Sequence, residues 1–185
     1  MKSRILMLIL FTLISSVAVS SAELHLDVKA IKAKRIADEI TDLRSHRAAQ
    51  LLNSDLEISP EIFKKTCGAV KKRAMEIVKT EGVKIKHAAI KNRNPKHAAT
   101  PEEAKMHEYF DNNRDVSEII NEKIRDGRKY YSYIRPIFIE TACLKCHGKK
   151  SNRPEFIKKG YPEDKAFGFQ VGDLRGIIEV MVPID

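Results

Sequence analysis

Apolar residues in the first third of the chain recur at helical spacing. From Leu24 to Leu52, the positions Val28, Ile31, Ile36, Ile40, Leu43 and Leu51 stand amid Lys, Arg, Asp and Glu, a pattern that predicts a long amphipathic helix. Ser59-Pro60-Glu61 is a start signal for a second helix, with a capping side chain, a proline at the first helical position and an acid in the first turn. That helix would carry Phe63, Cys67, Val70, Ala74 and Ile77 on one face and end at Glu81-Gly82. Val83 to His87 then alternates as a half-buried strand does, and Asn92-Arg93-Asn94-Pro95 is a turn. Thr100, Pro101 and Glu103 form a capping-box pattern for a short helix through about Phe110. Glu118 to Ile124 and Arg128 to Ile139 flank Asp126-Gly127, a strong hairpin signal, and Gly176 to Pro183 is a last strand. Helices early and strands late predict an α+β domain, an antiparallel sheet packed against a long N-terminal helix and flanking helices.

The N-terminus changes the compartment in which this domain is expected. Met1-Lys2-Ser3-Arg4, an apolar run from Ile5 to Ile14 and small residues ending Ser20-Ser21-Ala22 follow the plan of a secretory signal peptide, with cleavage expected after Ala22. An uncleaved anchor is the weaker reading, because Thr12, Ser15 and Ser16 interrupt a run that a spanning helix would need to be about 20 residues long. The expected division is therefore a signal peptide over 1–22 and one domain over 23–185, exported, periplasmic, with no membrane span after cleavage. The whole chain of 185 residues has a net charge of +9. Loss of Lys2 and Arg4 leaves +7, spread through the sequence rather than gathered in one block. In an exported protein this charge suits an acidic protein partner or an anionic surface, not nucleic acid.

The chemistry is concentrated in Cys143-Leu144-Lys145-Cys146-His147, the attachment pattern for one covalent haem c. Each cysteine sulfur adds across a haem vinyl group, the two-residue spacer sets the sulfurs at the vinyl separation, and the adjacent imidazole reaches the iron. Gly148 lets the chain leave tightly. A thioredoxin-like redox pair fits poorly after an antiparallel hairpin. A structural zinc site would have to gather Cys67, Cys143, Cys146 and His147 although only one close-spaced pair is present.

Cys67 is the odd thiol. Two of three cysteines serve the haem, and the third, in an oxidising compartment, has no intramolecular partner. Its helical position turns it toward the core, and a thiolate is a good iron ligand. A buried inert thiol is the plainer reading. His87, His97, His107, Met75, Met106 and Met181 are the other candidates for the iron's far side, and spacing alone does not choose among them. Asp164 and Asp173 read as turn residues, and no titratable pair stands at catalytic spacing, so an enzyme is a third and weaker reading.

Ordered motifs extend over nearly the whole mature chain: Cys67-Gly68-Ala69-Val70, Lys91-Asn92-Arg93-Asn94-Pro95, Arg135-Pro136, the haem motif with Gly148, Tyr161 to Gly168 and Val171 to Gly176. In these the sequence resembles a family of exported haem-binding domains of unsettled function, PAS-like in fold, found as free cytochromes and as outer sensor portions of signalling proteins. The resemblance implies that the iron takes His147 on one side and Cys67 on the other. The sequence departs at His87, where the family usually has an arginine, and this places a second potential iron ligand nearby.

A thiolate favours ferric iron, and its loss on reduction would open a position for CO or NO. The expected function is thus a haem-based redox or diatomic-gas sensor or binding module, which would need a signalling or redox protein partner. The alternative is a low-potential electron-transfer cytochrome. The long first helix could also support a homo- or heterodimer.

Overall fold

The structure, a computed structural model, describes residues 21–52 and 57–184, with side chains from Val28 onward. The expected signal peptide lies outside the described residues except for its last two positions. Helix α1 (Ser21–Ala49) is followed by α2 (Pro60–Lys65), α3 (Cys67–Glu81), β1 (Lys84–Ala88), α4 (Pro101–Asn112), β2 (Ile119–Arg125), β3 (Arg128–Phe138), α5 (Leu144–His147), α6 (Glu155–Gly160) and β4 (Leu174–Pro183). The four strands form one antiparallel sheet in the order β1-β4-β3-β2. This is the α+β, PAS-like architecture expected from the element order, with the last strand of the chain in the middle of the sheet.

Helix α1 lies across the sheet on the expected stripe through Ile36, Ile40 and Leu43, and only the two apolar residues before it depart from that stripe. Ala33, Ile36, Ala37 and Ile40 are fully buried, at i, i+3, i+4 and i+7, whereas Val28 and Ile31 are exposed. Ala33 and Ala37 give the helix a flat face that lets Ile36 and Ile40 reach Val70, Ala74 and Ile77 of α3 and Tyr133, Ile178 and Val180 of the sheet. Each fully buried isoleucine here contributes about 1.5–3 kcal/mol of hydrophobic stabilisation. On the opposite face Ile177 and Leu174 of β4 pack with Ala88, Ile134 and Phe110 of α4. Strand β4 is therefore covered on both sides, which explains its nearly unbroken apolar run from Ile177 to Val182.

The β2–β3 hairpin turns at Asp126 and Gly127, with φ of 52° and 74°, the left-handed pair that Asp-Gly supplies. The capping box of α4 forms in both directions between Thr100 and Glu103. The single helix expected from Ser59 to Gly82 is instead two. Thr66 breaks it, with φ −97° and ψ −95°, while its hydroxyl donates to Ile62 O at 2.9 Å. A threonine hydroxyl that back-bonds to the i−4 carbonyl weakens helical continuity. The break makes Cys67 the first residue of α3.

Ion pairs hold α1 to its neighbours. Arg35 pairs with Glu81 at 2.7 Å and Lys34 with Glu118 at 2.9 Å, while Tyr133 Oη donates to Glu118 at 2.5 Å. The bond from Arg35 holds the Glu81 carboxyl below the usual carboxylate range, and the bonds from Tyr133 and Lys34 do the same for Glu118. A depressed carboxyl pKa stabilises the fold above the unfolded value, about 4.3, and loses that contribution as pH falls through the folded value. Urea midpoints measured from pH 6 to pH 3 should therefore drop on acidification, with a shallower drop in Glu118→Gln. Ile40→Ala should destabilise the fold by about 2–5 kcal/mol in urea titrations at neutral pH.

Candidate functional site

The long crossover from β3 to β4 carries the CxxCH motif. A single turn over Thr141–Cys143 runs directly into α5, so Cys143, Cys146 and His147 are presented by about two consecutive turns of helix. Gly148 closes α5 with its N–H donating to Leu144 O at 2.9 Å, and a Cβ at this position would lie 2.6 Å from that same oxygen. Only glycine leaves room there. Two bonds tie the motif to α1: Lys145 Nζ donates to Leu51 O at 2.5 Å, and Ser45 Oγ donates to Glu140 at 2.5 Å.

The imidazole of His147 is fixed by its surroundings. Nδ1 lies 2.8 Å from Ala166 O, so Nδ1 carries the proton and donates, leaving a lone pair on Nε2. The Arg93 guanidinium is 3.5 Å from the same Nδ1, too far to compete, and donates instead to Cys146 O at 2.8 Å. The edge of Phe169 stands against the His147 ring at a centroid distance of 6.2 Å. Burial, with the charges of Arg175 and Arg93, holds the imidazole pKa well below its ordinary value, so the ring is neutral and able to donate its lone pair.

Ala166 is itself set by Asp164. The Asp164 side chain is wholly buried and accepts from Arg93 Nε at 3.3 Å, Arg153 Nη1 at 2.9 Å and Ala166 N at 2.8 Å. Its expected role as a turn residue is therefore too small: it is the anion that holds two arginines and the His147 loop together. Asp173 does act in a turn, accepting from Gln170 N at 2.7 Å.

The helical position of Cys67 predicts a side chain turned into the core, but the thiol is exposed, because the break at Thr66 puts it at the start of α3. Cys67, Cys143, Cys146 and His147 all line one cavity of about 1030 Å³, bounded also by α1, α3 and β1. That is the upper end of the range for cofactor pockets, about 300–1,000 Å³. Its walls combine apolar surface from Leu51, Phe63, Val70 and Ile137 with a marked excess of cations. Arg44 Nε is shielded from solvent without a hydrogen-bond partner, while Arg175 Nη1 donates to Lys91 O at 3.1 Å and its guanidinium lies over the Phe169 ring; neither forms an ion pair among the described residues. Burial lowers the pKa of both guanidiniums, that of Arg175 to about 10. Buried cations of this kind are costly unless a bound anion completes them. Burial also raises the Cys143 thiol and pushes the Cys146 thiol up to about 11, so both begin as neutral thiols.

The cavity sorts the other candidates. His87 lines it, with Nε2 shielded and unpartnered, and His97 stands at its edge with its ring centroid 6.0 Å from that of His87. His107 faces a separate, smaller hollow with Asp111 and Arg114. Met181 and Met75 also line the cavity, the first buried in the sheet and the second 61% exposed, whereas Met106 packs beside Phe110 away from it. The zinc alternative has no geometry behind it, since no group of three or more His, Cys, Asp or Glu among the described residues converges to hold a bare ion. Sequence reasoning missed Arg44, Arg175 and the pairing of Arg93 with Asp164. Arg44 sits one residue past Leu43 in an otherwise charged helix, and nothing in the periodicity marks it.

No helix among the described residues is long and apolar enough to cross a membrane. No curated protein matches the chain. Among solved structures, that of the cyanobacterial heme-protein Tll0287 superposes with a TM-score of 0.69 at 34% sequence identity, covering 89% of this chain and 97% of the other. The profile of the Tll0287-like family matches residues 22–183, and the chain belongs to that family.

Proposed function

We propose that this chain is an exported, periplasmic monohaem c-type protein, released by cleavage after Ala22, that works as a redox or diatomic-gas sensor or binding module. The observation that carries the reading is the set of donors around one cavity: two neutral thiols at CxxC spacing, a His147 with its Nε2 lone pair free, and Arg44 and Arg175 without anions. Each fits a different part of a haem: its vinyl groups, its iron and a propionate. The name of the matched structure, a heme-protein, supports the same assignment.

In this reading Cys143 and Cys146 hold the macrocycle covalently and His147 is the proximal iron ligand. Arg175 binds a propionate by charge-assisted hydrogen bonds, and Arg44 is the counter-charge of Cys67. Cys67, at the start of α3 and within the electrostatic reach of Arg44, is the distal ligand. Bound haem supplies a one-electron ferric–ferrous couple and an iron that can take a small diatomic. As a thiolate, Cys67 favours the ferric state and a low potential, in contrast to a methionine. Loosening of Cys67 in the ferrous state then frees the position for CO or NO. A sensor must pass its signal to another protein, either a second copy through α1 or a redox or signalling partner. Lys71 and Lys96 around the cavity would suit an acidic one, an arrangement that equally serves the second reading, a low-potential electron carrier.

Spectra separate these readings. Holoprotein should retain its haem through acid–acetone extraction, Cys67→Ala should shift the ferric Soret band, and CO should shift the ferrous bands only. A ferrous spectrum unchanged by CO would exclude the gas site and leave the carrier. A ferric spectrum unchanged in Cys67→Ala would remove Cys67 from the iron. Asp164→Ala strands Arg93 and Arg153 and frees the loop that orients His147. Thermal or urea unfolding should show a loss of about 3–5 kcal/mol, as for a broken buried ion pair.

A further inference from the structure

The cavity contains a second donor that the reading above leaves idle. His87 stands on β1, the edge strand, opposite Ile178 of β4, and so on the same face of the sheet as α1 and α3. Its Nε2 is shielded from solvent and meets no hydrogen-bond partner. A buried polar nitrogen left unsatisfied is a cost that folded proteins seldom retain without a use. The groups facing the ring are cationic or aromatic. Arg44 comes from α1, Arg175 from the start of β4, and His97 from the turn after β1, with its ring centroid 6.0 Å away. These charges and burial disfavour the imidazolium and leave a neutral ring whose ordinary partner would be a metal.

We propose that His87 is a second distal ligand of the same haem iron, taking the position that Cys67 leaves when the iron is reduced. The inference rests on the haem assignment given above. A one-electron donor outside the protein supplies the electron. The Fe–S bond breaks with its electron pair remaining on the Cys67 sulfur, whose negative charge faces the Arg44 guanidinium. The Nε2 lone pair of His87 forms the new Fe–N bond. Atoms and charge balance without a further reactant: ferric iron becomes ferrous and the thiolate becomes a free anion beside a cation.

The exchange has a physical direction. Ferric iron prefers the anionic thiolate, and ferrous iron, with one positive charge fewer, gains less from it and is well served by a neutral imidazole. The two donors also sit on elements of different stiffness. Cys67 opens α3 immediately after the break at Thr66, where the backbone has no continuous helix to hold it. His87 is held in the sheet by β4 pairing on one side only. An incoming diatomic would then have to displace His87 rather than enter an open site. Such internal competition reduces apparent affinity by the fraction of protein in which the site is free.

The experiment uses purified holoprotein with its covalent haem, reduced by dithionite under argon and followed by absorption and resonance Raman spectroscopy. Ferrous wild type should be six-coordinate and low-spin. His87→Ala should be five-coordinate and high-spin when ferrous, with its ferric spectrum unchanged, and added imidazole should restore the low-spin ferrous form. His87→Gln, which keeps size and polarity but ligates iron poorly, should show the same loss and guards against a folding defect in the alanine variant. Apparent CO affinity should rise at least about tenfold in both variants. Ferric Cys67→Ala should become a bis-imidazole low-spin species, lost in Cys67→Ala/His87→Ala. Identical ferrous spectra and CO affinities in wild type and both His87 variants would overturn the proposal. If Cys67→Ala nonetheless shifts the ferric spectrum, the assignment of Cys67 survives that failure. If Cys67→Ala changes nothing, the earlier assignment fails first.

Discussion

The carboxylate of Asp164, with no solvent-exposed side-chain surface, is the anion on which the CxxCH loop depends. It holds Arg93 and Arg153 by charge and Ala166 by a backbone hydrogen bond. Arg93 is thereby set to donate to Cys146 O, and Ala166 to accept the proton of His147 Nδ1. One buried negative charge thus determines both the position of the second cysteine and the tautomer of the histidine. A buried ion pair rarely improves net stability over an apolar core, because desolvation offsets the attraction. Its use here is geometric: it fixes the tautomer and the direction of the His147 imidazole.

The rest of the cavity follows an opposite electrostatic rule. Around Asp164 the charges are matched, whereas Arg44 and Arg175 face the cavity outside any ion pair among the described residues, with only the longer-range charges of Glu140 and Asp164 to offset burial. Unmatched buried cations are expensive, and they persist where a bound anion completes them. Helix α1 supplies Arg44 to the cavity and Ala33, Ile36, Ala37 and Ile40 to the core, so the element that builds the domain also sets the field of the site. This coupling explains why a long helix, with only part of its apolar surface buried against the sheet, lies across a small domain.

Much of the fold was legible because local rules and the tertiary structure agree. The Asp126-Gly127 turn, the capping box at Thr100 and the mostly apolar run of β4 each carry their conformation in a few neighbouring residues. The errors fall where side chains act beyond their own segment. Val28 and Ile31, at the start of α1, are exposed, because the stripe that meets the sheet and α3 runs through Ala33, Ile36, Ala37 and Ile40. The helix expected to run unbroken from Ser59 divides at Thr66, since a hydroxyl bond to Ile62 O has no signature in hydrophobic period. Asp164 has the composition of a turn and the function of a buried hub.

For the site, the sequence by itself determined the donor types: a CxxCH motif whose spacing is dictated by chemistry, and an unpaired Cys67 whose oddness is a matter of counting. Only the tertiary structure decided which residues share a cavity. It brings His87 from a strand, Cys67 from a helix start and Arg44 and Arg175 from opposite ends of the chain to the walls that also hold Cys143, Cys146 and His147. Charge pairing, desolvation and tautomer are properties of neighbours in space. Residues separated by about 130 positions, as Arg44 and Arg175 are, acquire them only when the chain has closed around the site.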